Sequence, residues 1–308
     1  MNSGERSAGR LPAGLERVRV TTRDGERTCL VHPPAGSDGA APRPLVLMFH
    51  GGGGRAVNAM AATGWNELAD REGCIVAYPE ATRPDPTRPA DFRANPQTWN
   101  DGSGRDSLPA VRAGADDVGF VAALLDALAA RHRIDPHRVF ATGFSNGASF
   151  VFHLARELPH RLAAVAPVAG YDWRTDPPAA PPGASLPSLL CVTGALDPLN
   201  PLAGGEIRLG EYSFGVQGPQ AAVWRRWAAA LGCTAGPVVE RPRPRVERRR
   251  WTGCAAGRRC EALVVEDLGH VWPGGVNLLP AEISGPSSDA LDGTAAVWEF
   301  FAGEGRSS

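Results

Sequence analysis

The amino-acid sequence predicts an α/β fold in which a mostly parallel central sheet carries helices on both faces. Short apolar runs, typical of buried strands, alternate along the chain with segments whose apolar residues recur at helical spacing. Two of these runs lead directly into glycine-containing loops, at residues 50–54 and 143–147. The chain has 308 residues, of which 43% are apolar, and this is enough for a sizeable core. Ligands of such sheets bind beyond the carboxyl ends of the strands, so these two loops are the first candidates for function.

The individual strands and helices follow from the same patterns in chain order. The first two strands flank an Arg-Asp-Gly turn at residues 23–25, and the later ones are short apolar runs. The expected strands cover residues 17–22, 27–32, 44–49, 74–78, 138–144, 162–169, 189–193, 246–251 and 262–266. The expected helices cover residues 58–72, 116–131, 146–158, 217–231 and 294–301. Residues 1–15 are expected to form a flexible leader, 16–303 a single domain, and 79–112 a long irregular loop of a kind that is often functional.

The charge and hydropathy of the chain exclude several classes of partner. The formal net charge is −1, whereas nucleic-acid-binding proteins carry a basic excess, so no nucleic-acid partner is expected. Six arginines lie within residues 241–250, but prolines interrupt the run, which favours a solvated strand or hairpin over a membrane-surface helix. No apolar run is long enough to span a bilayer, so no membrane partner is expected.

The polar residues 1–6 precede no signal-peptide core, which predicts a cytoplasmic protein unless the start is misassigned or the sequence trimmed. The oligomeric state does not follow from the sequence.

Cysteine and histidine spacing predicts that no metal ion is bound. There is no Cys-x-x-Cys pair and no His-Glu-x-x-His motif in the sequence. Of the six cysteines, Cys233, Cys254 and Cys260 cluster late in the chain. A disulfide between two of these three is compatible with an exported protein, and whether one forms does not follow from the sequence.

The Gly-Phe-Ser-Asn-Gly sequence at residues 143–147 is the most informative motif. It follows an expected strand and opens an expected helix, which is the setting of the nucleophile elbow in the α/β-hydrolase fold. The two glycines permit a tight, strained turn that lifts the Ser145 hydroxyl above the edge of the sheet. The helix N-terminus also directs its unpaired amides at developing negative charge. The motif therefore predicts that Ser145 is a nucleophile.

A serine hydroxyl is a weak nucleophile at neutral pH and needs a general base beside it. In the α/β-hydrolase fold the acid and the histidine follow the serine in chain order. His270 is the one histidine well downstream of the motif, because His153 and His160 lie on or just after the helix that follows it. His270 is therefore the expected general base.

The third member of the site must orient the imidazole and stabilise its protonated form. Asp197 lies in the loop after the expected strand at residues 189–193, where this fold carries its acid, and is the expected residue. Asp267 is an alternative, although it is close to His270 along the chain. Asp172 is a second alternative, which precedes the usual position of the acid.

Backbone amides must also be arranged to stabilise an oxyanion. Asn146, directly after the serine, is expected to supply one amide, and the glycine loop the other, with Gly52 as the first choice and Gly53 as the alternative. The glycine loop lacks the Gly-Lys-Ser/Thr of a phosphate-binding loop. Trp99 and Trp272 are expected to line the substrate pocket, with a core or loop-anchoring role as the alternative for Trp99.

Together these motifs resemble the esterases related to polyhydroxybutyrate depolymerases and feruloyl esterases, which are grouped with carbohydrate esterase family 1. The resemblance covers residues 18–301. The residues that carry it are His-Gly-Gly-Gly-Gly at 50–54, Trp-Asn-Asp-Gly at 99–102, Asp-Asp-Val-Gly-Phe at 116–120, Ile-Asp-Pro at 134–136, the elbow, Gly-His at 269–270 and Trp-Pro-Gly at 272–274. It implies a single catalytic domain with a Ser145–Asp197–His270 triad, hydrolysis through an acyl-enzyme, no cofactor and no metal.

The sequence thus predicts a serine esterase whose partner is a small-molecule or oligomeric ester, such as a hydroxyalkanoate, hydroxycinnamoyl or acetyl ester. The oxyanion loop lacks the cysteine that several polymer depolymerases have there, which favours soluble esters over a solid polymer. A serine peptidase or an acyltransferase with the same triad is an alternative function. A non-catalytic binding protein on the same scaffold is an alternative of another class.

Overall fold

Strands and helices alternate along the residues that the computed structural model describes, which are 14–35 and 41–304. The strands are β1 (Glu16–Thr22), β2 (Gly25–His32), β3 (Arg43–Phe49), β4 (Ile75–Pro79), β5 (Ile134–Phe144), β6 (Ala164–Val168), β7 (Ser188–Gly194), β8 (Gly205–Leu209), β9 (Tyr212–Gln217), β10 (Ala235–Arg243), β11 (Val246–Thr252) and β12 (Cys260–Val265). The helices are α1 (Ala56–Thr63), α2 (Trp65–Glu72), α3 (Pro109–Arg112), α4 (Asp117–Ala129), α5 (Asn146–Glu157), α6 (Gln220–Ala230), α7 (Ala281–Ser284) and α8 (Gly293–Ala302). The expected leader, residues 1–15, lies outside the described residues except for its last two.

Ten of the strands form one sheet in the order β1-β2-β4-β3-β5-β6-β7-β12-β11-β10. The six strands from β4 to β12 run parallel, and two antiparallel strands complete each side of the sheet. Because parallel strands end at the same edge, the loops after β3, β5, β7 and β12 converge there. The expected, mostly parallel sheet is confirmed.

Helices cover both faces of this sheet, as expected. In β3, Leu45 and Leu47 point into one apolar core while Val46 and Met48 point into the other. Helices α4, α5 and α6 contribute side chains to the first core, and α1, α2 and α8 to the second. Since both faces are covered, the central strands are continuous apolar runs rather than alternating ones.

Two sequence expectations about local structure are wrong. The helix expected over residues 58–72 is two helices, because Gly64 between them adopts a left-handed conformation with φ of 70°. Between β7 and α6, where no strand was expected, β8 and β9 pair as an antiparallel hairpin with its own two-stranded sheet. Both features depend on local turns that apolar periodicity alone does not reveal.

The arginine-rich run at residues 241–250 lies in the antiparallel hairpin of β10 and β11, so the strand or hairpin expectation is confirmed. Three of its arginine side chains pair with carboxylates at this end of the sheet. Arg250 donates to Glu240 at 2.8 Å, and Arg241 and Arg245 form ion pairs with Glu266 and Asp267. These pairs are exposed, so each adds little to stability.

Cys233 and Cys254 form a disulfide across 21 residues of sequence, while Cys260 is buried in β12 with a free thiol. This bond joins the end of α6 to the segment after β11. On the loop-entropy model a closure of this length stabilises the fold by about 3 kcal/mol. None of the helices within residues 14–35 and 41–304 has the length and apolar character needed to cross a bilayer.

Candidate active site

Ser145 stands in a sharp turn between the end of β5 and the first residue of α5. Its backbone has φ of 56° and ψ of −121°, a conformation that costs a non-glycine residue about 1–3 kcal/mol. The turn also brings α5 against β3, since a Cβ on Gly147 would collide with the carbonyl oxygen of His50. Close packing therefore requires glycine at position 147. The strained backbone of Ser145 directs its hydroxyl beyond the edge of the sheet.

Ser145, His270 and Asp197 form a continuous line of hydrogen bonds. His270 Nδ1 lies 2.8 Å from Asp197 Oδ2, and His270 Nε2 lies 2.9 Å from Ser145 Oγ. Because a carboxylate only accepts, Nδ1 carries the proton and Nε2 is left to accept from the serine hydroxyl. Both His270 and Asp197 are buried.

Backbone groups fix the Asp197 carboxylate in this orientation. Its other oxygen, Oδ1, accepts hydrogen bonds of 2.8 Å from the amides of Leu199 and Asn200. The loop carrying His270 packs directly on the end of β7, because a Cβ on Gly194 would collide with the carbonyl oxygen of Leu268. The structure thus brings the three sequence-predicted residues together and leaves Asp267 paired with Arg245 instead.

The alternative acid, Asp172, also has another set of partners. It accepts hydrogen bonds from Arg156 at 2.7 Å, Arg226 at 3.0 Å and the Trp227 indole at 2.8 Å. These contacts hold the loop after β6 against α5 and α6. Asp172 therefore lies in a buried structural network away from His270.

The glycine loop after β3 lies beside the elbow. A Cβ on Gly51 would be 3.3 Å from that of Ser145, and one on Gly52 would be 3.5 Å from that of Asn146. The Gly53 amide donates to the carbonyl of Gln97 at 2.7 Å. Within the described part of the chain, no backbone hydrogen bond uses the amide of Gly52, and Asn146 is the first residue of its helix. The amides of Gly52 and Asn146 are thus adjacent and free of such bonds, whereas the Gly53 amide is already bonded. Their use for an oxyanion stays a prediction.

His50 holds the glycine loop in place, a role that the sequence analysis missed. The Ala81 amide donates to His50 Nε2 at 3.1 Å, so the ring proton is on Nδ1, which donates to the Gly51 carbonyl at 2.8 Å. Burial lowers the pKa of His50, although the Glu80 carboxylate acts in the opposite direction. Since the Gly51 carbonyl and the Gly52 amide share one planar peptide, the neutral imidazole also orients that amide.

Trp99 does not line the pocket, so the expected substrate contact is wrong there. Its side chain is fully buried, its indole donates to the His50 carbonyl at 2.9 Å, and its ring stacks on Phe150 at 5.2 Å. The alternative, a loop-anchoring role, fits these contacts. Trp272 does lie on the pocket wall, with its indole bonded to Thr294 Oγ1 at 2.9 Å. Its contact with substrate stays a prediction.

A cavity of about 660 Å³ opens above Ser145 and His270. Its walls come from the 79–112 loop, the segment after β6, the β8–β9 hairpin and residues 276–283, and most of the side chains are apolar. They include Phe92, Phe144, Tyr171, Trp173, Phe214 and Leu278. The hairpin was missed from the sequence, although alternating apolar residues on either side of Gly210 are the usual hairpin signal.

Arg105 contacts three of these wall segments. Its guanidinium donates to Asp101 at 2.6 Å within its own loop and to the Phe214 carbonyl of the hairpin at 3.0 Å. The same group lies 3.5 Å from the ring centroid of Trp173, in the segment after β6. A single side chain therefore contacts three segments of the cavity wall.

The sheet order, the elbow and the serine–histidine–aspartate line together define an α/β-hydrolase. A family model described as "Esterase PHB depolymerase" matches residues 28–174. The NocK protein of Nocardia uniformis subsp. tsuyamanensis is 30% identical over 279 residues, covering 85% of this chain and 74% of that protein. The chain belongs to this family of polyhydroxybutyrate-depolymerase-type esterases, as its motifs indicated, and it is a carboxylic ester hydrolase.

One further relative agrees with this assignment, and one solved structure shows the same fold. Poly(3-hydroxyalkanoate) depolymerase C of Paucimonas lemoignei is 27% identical over 218 residues, which cover 70% of this chain but 47% of that protein. The chain thus spans about half the length of that relative. The solved acetyl xylan esterase from Aspergillus awamori has the same fold, with a TM-score of 0.57 at 15% identity over 83% of this chain and 94% of that one.

Proposed function

We propose that the chain is a serine esterase that hydrolyses soluble carboxylic esters through an acyl-enzyme on Ser145. The observation that carries this proposal is the unbroken Ser145–His270–Asp197 line of hydrogen bonds, with both distances below 3 Å, at the floor of a cavity. The proposed substrates are small or oligomeric hydroxyalkanoate, hydroxycinnamoyl or acetyl esters. The largely apolar walls and the volume of about 660 Å³ favour esters of this size.

In the proposed cycle, His270 Nε2 accepts the proton of Ser145 Oγ as that oxygen attacks the ester carbonyl carbon. The amides of Gly52 and Asn146 donate to the carbonyl oxygen while it becomes an oxyanion. Asp197 stabilises the imidazolium that forms. The imidazolium then gives its proton to the leaving alkoxide, and an acyl group remains on Ser145.

The second half of the cycle repeats these roles with water. His270 accepts a proton from a water molecule, whose oxygen attacks the acyl carbonyl. The tetrahedral intermediate collapses, the carboxylic acid leaves, and His270 returns the proton to Ser145 Oγ. No cofactor is needed for either half, because each step moves only protons and an acyl group.

A hydrolysis panel tests the proposal on the wild type and Ser145→Ala. The panel contains p-nitrophenyl esters of rising chain length, methyl ferulate, acetylated xylan and a short hydroxybutyrate oligomer. We expect hydrolysis of some of these by the wild type and a loss of about 10⁴-fold or more in Ser145→Ala. Ser213→Ala, which removes an exposed serine of β9, is the control that should keep full activity.

Each outcome of the panel decides between functions. Serine-dependent ester hydrolysis supports the esterase and its profile names the substrate class. Ester hydrolysis that survives in Ser145→Ala contradicts the acyl-enzyme on this residue. A folded wild type that cleaves none of the esters contradicts the esterase proposal altogether, and amide substrates or added alcohol acceptors then distinguish a peptidase from an acyltransferase.

A further inference from the structure

The turn at residues 91–95, in the loop after β4, is held in a fixed shape beside the cavity. Asp91 and Asn95 pair as an antiparallel bridge, with backbone hydrogen bonds of 3.0 and 3.2 Å. Asp91 Oδ1 also accepts from the amides of Arg93 at 2.9 Å and Ala94 at 2.7 Å. The side chains of Phe92 and Arg93, at the tip of this turn, therefore project from a backbone that hydrogen bonds hold in place.

Asn95 anchors the turn from below. Its side chain is buried and donates to the carbonyls of Asp85 at 2.9 Å and Pro89 at 3.0 Å, while its Oδ1 accepts from the Asp85 amide at 2.9 Å. A buried amide that is bonded in this way is costly to displace. The turn is thus held against residues 85–89 of the same loop by the hydrogen bonds of one buried side chain.

The tip lies against the oxyanion side of the cavity. The Phe92 ring covers Gly53, because a Cβ on Gly53 would be 2.5 Å from that ring. Gly53 follows Gly52, whose amide points at the reacting carbonyl in the proposed mechanism. Arg93 is next to Phe92, and both line the cavity. Arg93 is thus an exposed residue on the wall of the cavity that also contains Ser145 and His270.

The charge of the cavity wall is positive. Among the described lining residues, the side chains of Arg93 and Arg105 are the ones with a permanent charge, and no carboxylate is present. The charge of Arg105 is matched by Asp101 at 2.6 Å. Within residues 14–35 and 41–304, the Arg93 side chain forms no hydrogen bond or ion pair. The pKa of Asp91 in the same turn is lowered, mainly by the hydrogen bonds from the amides of Ala94 and Arg93 and further by the charges of Arg88 and Arg93. The planar donors of Arg93 are therefore available to an anion.

We propose that Arg93 binds a carboxylate carried by the ester substrate. A guanidinium donates two parallel hydrogen bonds to a carboxylate and selects it over a neutral group. The enzyme then prefers esters that have a free carboxylate on the acid or the alcohol part, such as a hydroxyalkanoate oligomer with its terminal acid, over neutral esters of equal size. This inference rests on the proposed esterase function.

Matched substrate pairs test this preference. One pair is the free-acid dimer of 3-hydroxybutyrate and its methyl ester, where the carboxylate is on the leaving alcohol. The other is p-nitrophenyl hydrogen glutarate and its methyl ester, where the carboxylate is on the acyl group. We expect the wild type to favour the free acid in at least one pair by about 5- to 30-fold in kcat/KM, mainly through KM, and less at high salt.

The variants assign that preference to one side chain. Arg93→Gln should lose the preference, because kcat/KM should fall by a larger factor for the free acids than for the neutral esters, and Arg93→Lys should keep part of it. Arg88→Gln removes an exposed arginine of the same loop that is not on the cavity wall, and it should keep the full preference. The pair that shows the effect tells whether the carboxylate belongs to the acid or to the alcohol.

The proposal is overturned if the wild type cleaves both members of each pair equally, or if Arg93→Gln retains the preference. It is also overturned if Arg88→Gln loses as much as Arg93→Gln, since the effect then comes from net charge. A wild type without any serine-dependent ester hydrolysis contradicts the proposed function itself, which is a different result from hydrolysis that lacks this selectivity.

Discussion

The side chain of Asn146 is hydrogen-bonded to both backbone polar groups of Trp99. Asn146 Oδ1 accepts from the Trp99 amide at 2.8 Å, and Asn146 Nδ2 donates to the Trp99 carbonyl at 3.2 Å. The same Trp99 donates its indole proton to the carbonyl of His50, which precedes the glycine loop. Asn146 therefore has two parts in the proposed mechanism: its amide faces the oxyanion, and its side chain couples that amide to the opposite loop.

Replacing Asn146 with alanine separates these two parts, because the backbone amide remains. We expect Asn146→Ala to lower kcat by about 10- to 100-fold, since the two oxyanion donors are no longer held at a fixed spacing. KM should change by less than about 3-fold, and the free energy of unfolding should fall by about 1–2 kcal/mol. Steady-state kinetics on a p-nitrophenyl ester and urea unfolding measure both effects.

Asn66→Ala is the matched control for that substitution. Asn66 accepts a hydrogen bond of 2.7 Å from the Tyr78 hydroxyl, on the face of the sheet covered by α2. Its loss should reduce stability by a similar amount and leave kcat unchanged. If Asn146→Ala keeps the wild-type kcat, the side-chain contact has no part in holding the oxyanion site.

Arg105→Lys tests whether one guanidinium sets the width of the cavity. Lysine keeps the charge that Asp101 requires but lacks the planar fork that reaches the Phe214 carbonyl and lies over Trp173. We expect kcat/KM for p-nitrophenyl octanoate to fall by about 10-fold, while that for the acetate, which fills little of the cavity, changes by less than about 2-fold. Steady-state kinetics with both esters give the ratio.

Arg112→Lys provides the comparison, because Arg112 is an exposed arginine at the end of the same loop. It should leave both esters unaffected. An equal loss of activity on the octanoate and the acetate in Arg105→Lys would mean that the substitution disturbs the catalytic residues rather than the walls.

The buried imidazole of His50 makes stability depend on pH. Burial lowers its pKa from 6.5 in the folded chain, so the unfolded chain takes up a proton first as the pH falls. The free energy of unfolding should therefore decrease below about pH 6.5 and level off once the folded chain is protonated too. We expect a smaller decrease between about pH 7.5 and about pH 5 in His50→Gln than in the wild type.

Urea unfolding at the two pH values measures that difference. His137→Gln removes an exposed histidine and should retain the full pH dependence of the wild type. Identical pH dependence in His50→Gln and the wild type would show that His50 is not held neutral by the fold.

The Ser145–His270–Asp197 triad could be predicted from the sequence because each of its members has a local signal. Ser145 lies in a motif with a required strand and helix, and His270 and Asp197 follow it in the order of the fold. The choice of Gly52 over Gly53 for the oxyanion stays a prediction, and the hydrogen bond that occupies the Gly53 amide favours it. That bond goes to the carbonyl of Gln97, which is distant in sequence, so it has no local signal.

The walls of the cavity could not be predicted in the same way. Trp99 and Trp272 are both aromatic residues in loops, and only the packing of Trp99 on Phe150 decides that one is buried and the other faces the cavity. The contacts of Arg105 depend on two segments that come later in the chain. Such contacts arise from tertiary packing, and the periodicity of apolar residues and the turn residues carry no information about it.

The hairpin of β8 and β9 forms a sheet of its own, and its strands pair with each other rather than with the central sheet. Hydrogen bonds close it at the base, where Gln217 donates to the Pro201 carbonyl at 2.9 Å and Gln220 donates to Asn200 at 2.6 Å. Replacing the hairpin between these two anchor points would therefore break no backbone ladder of the central sheet, including the strand that carries the nucleophile.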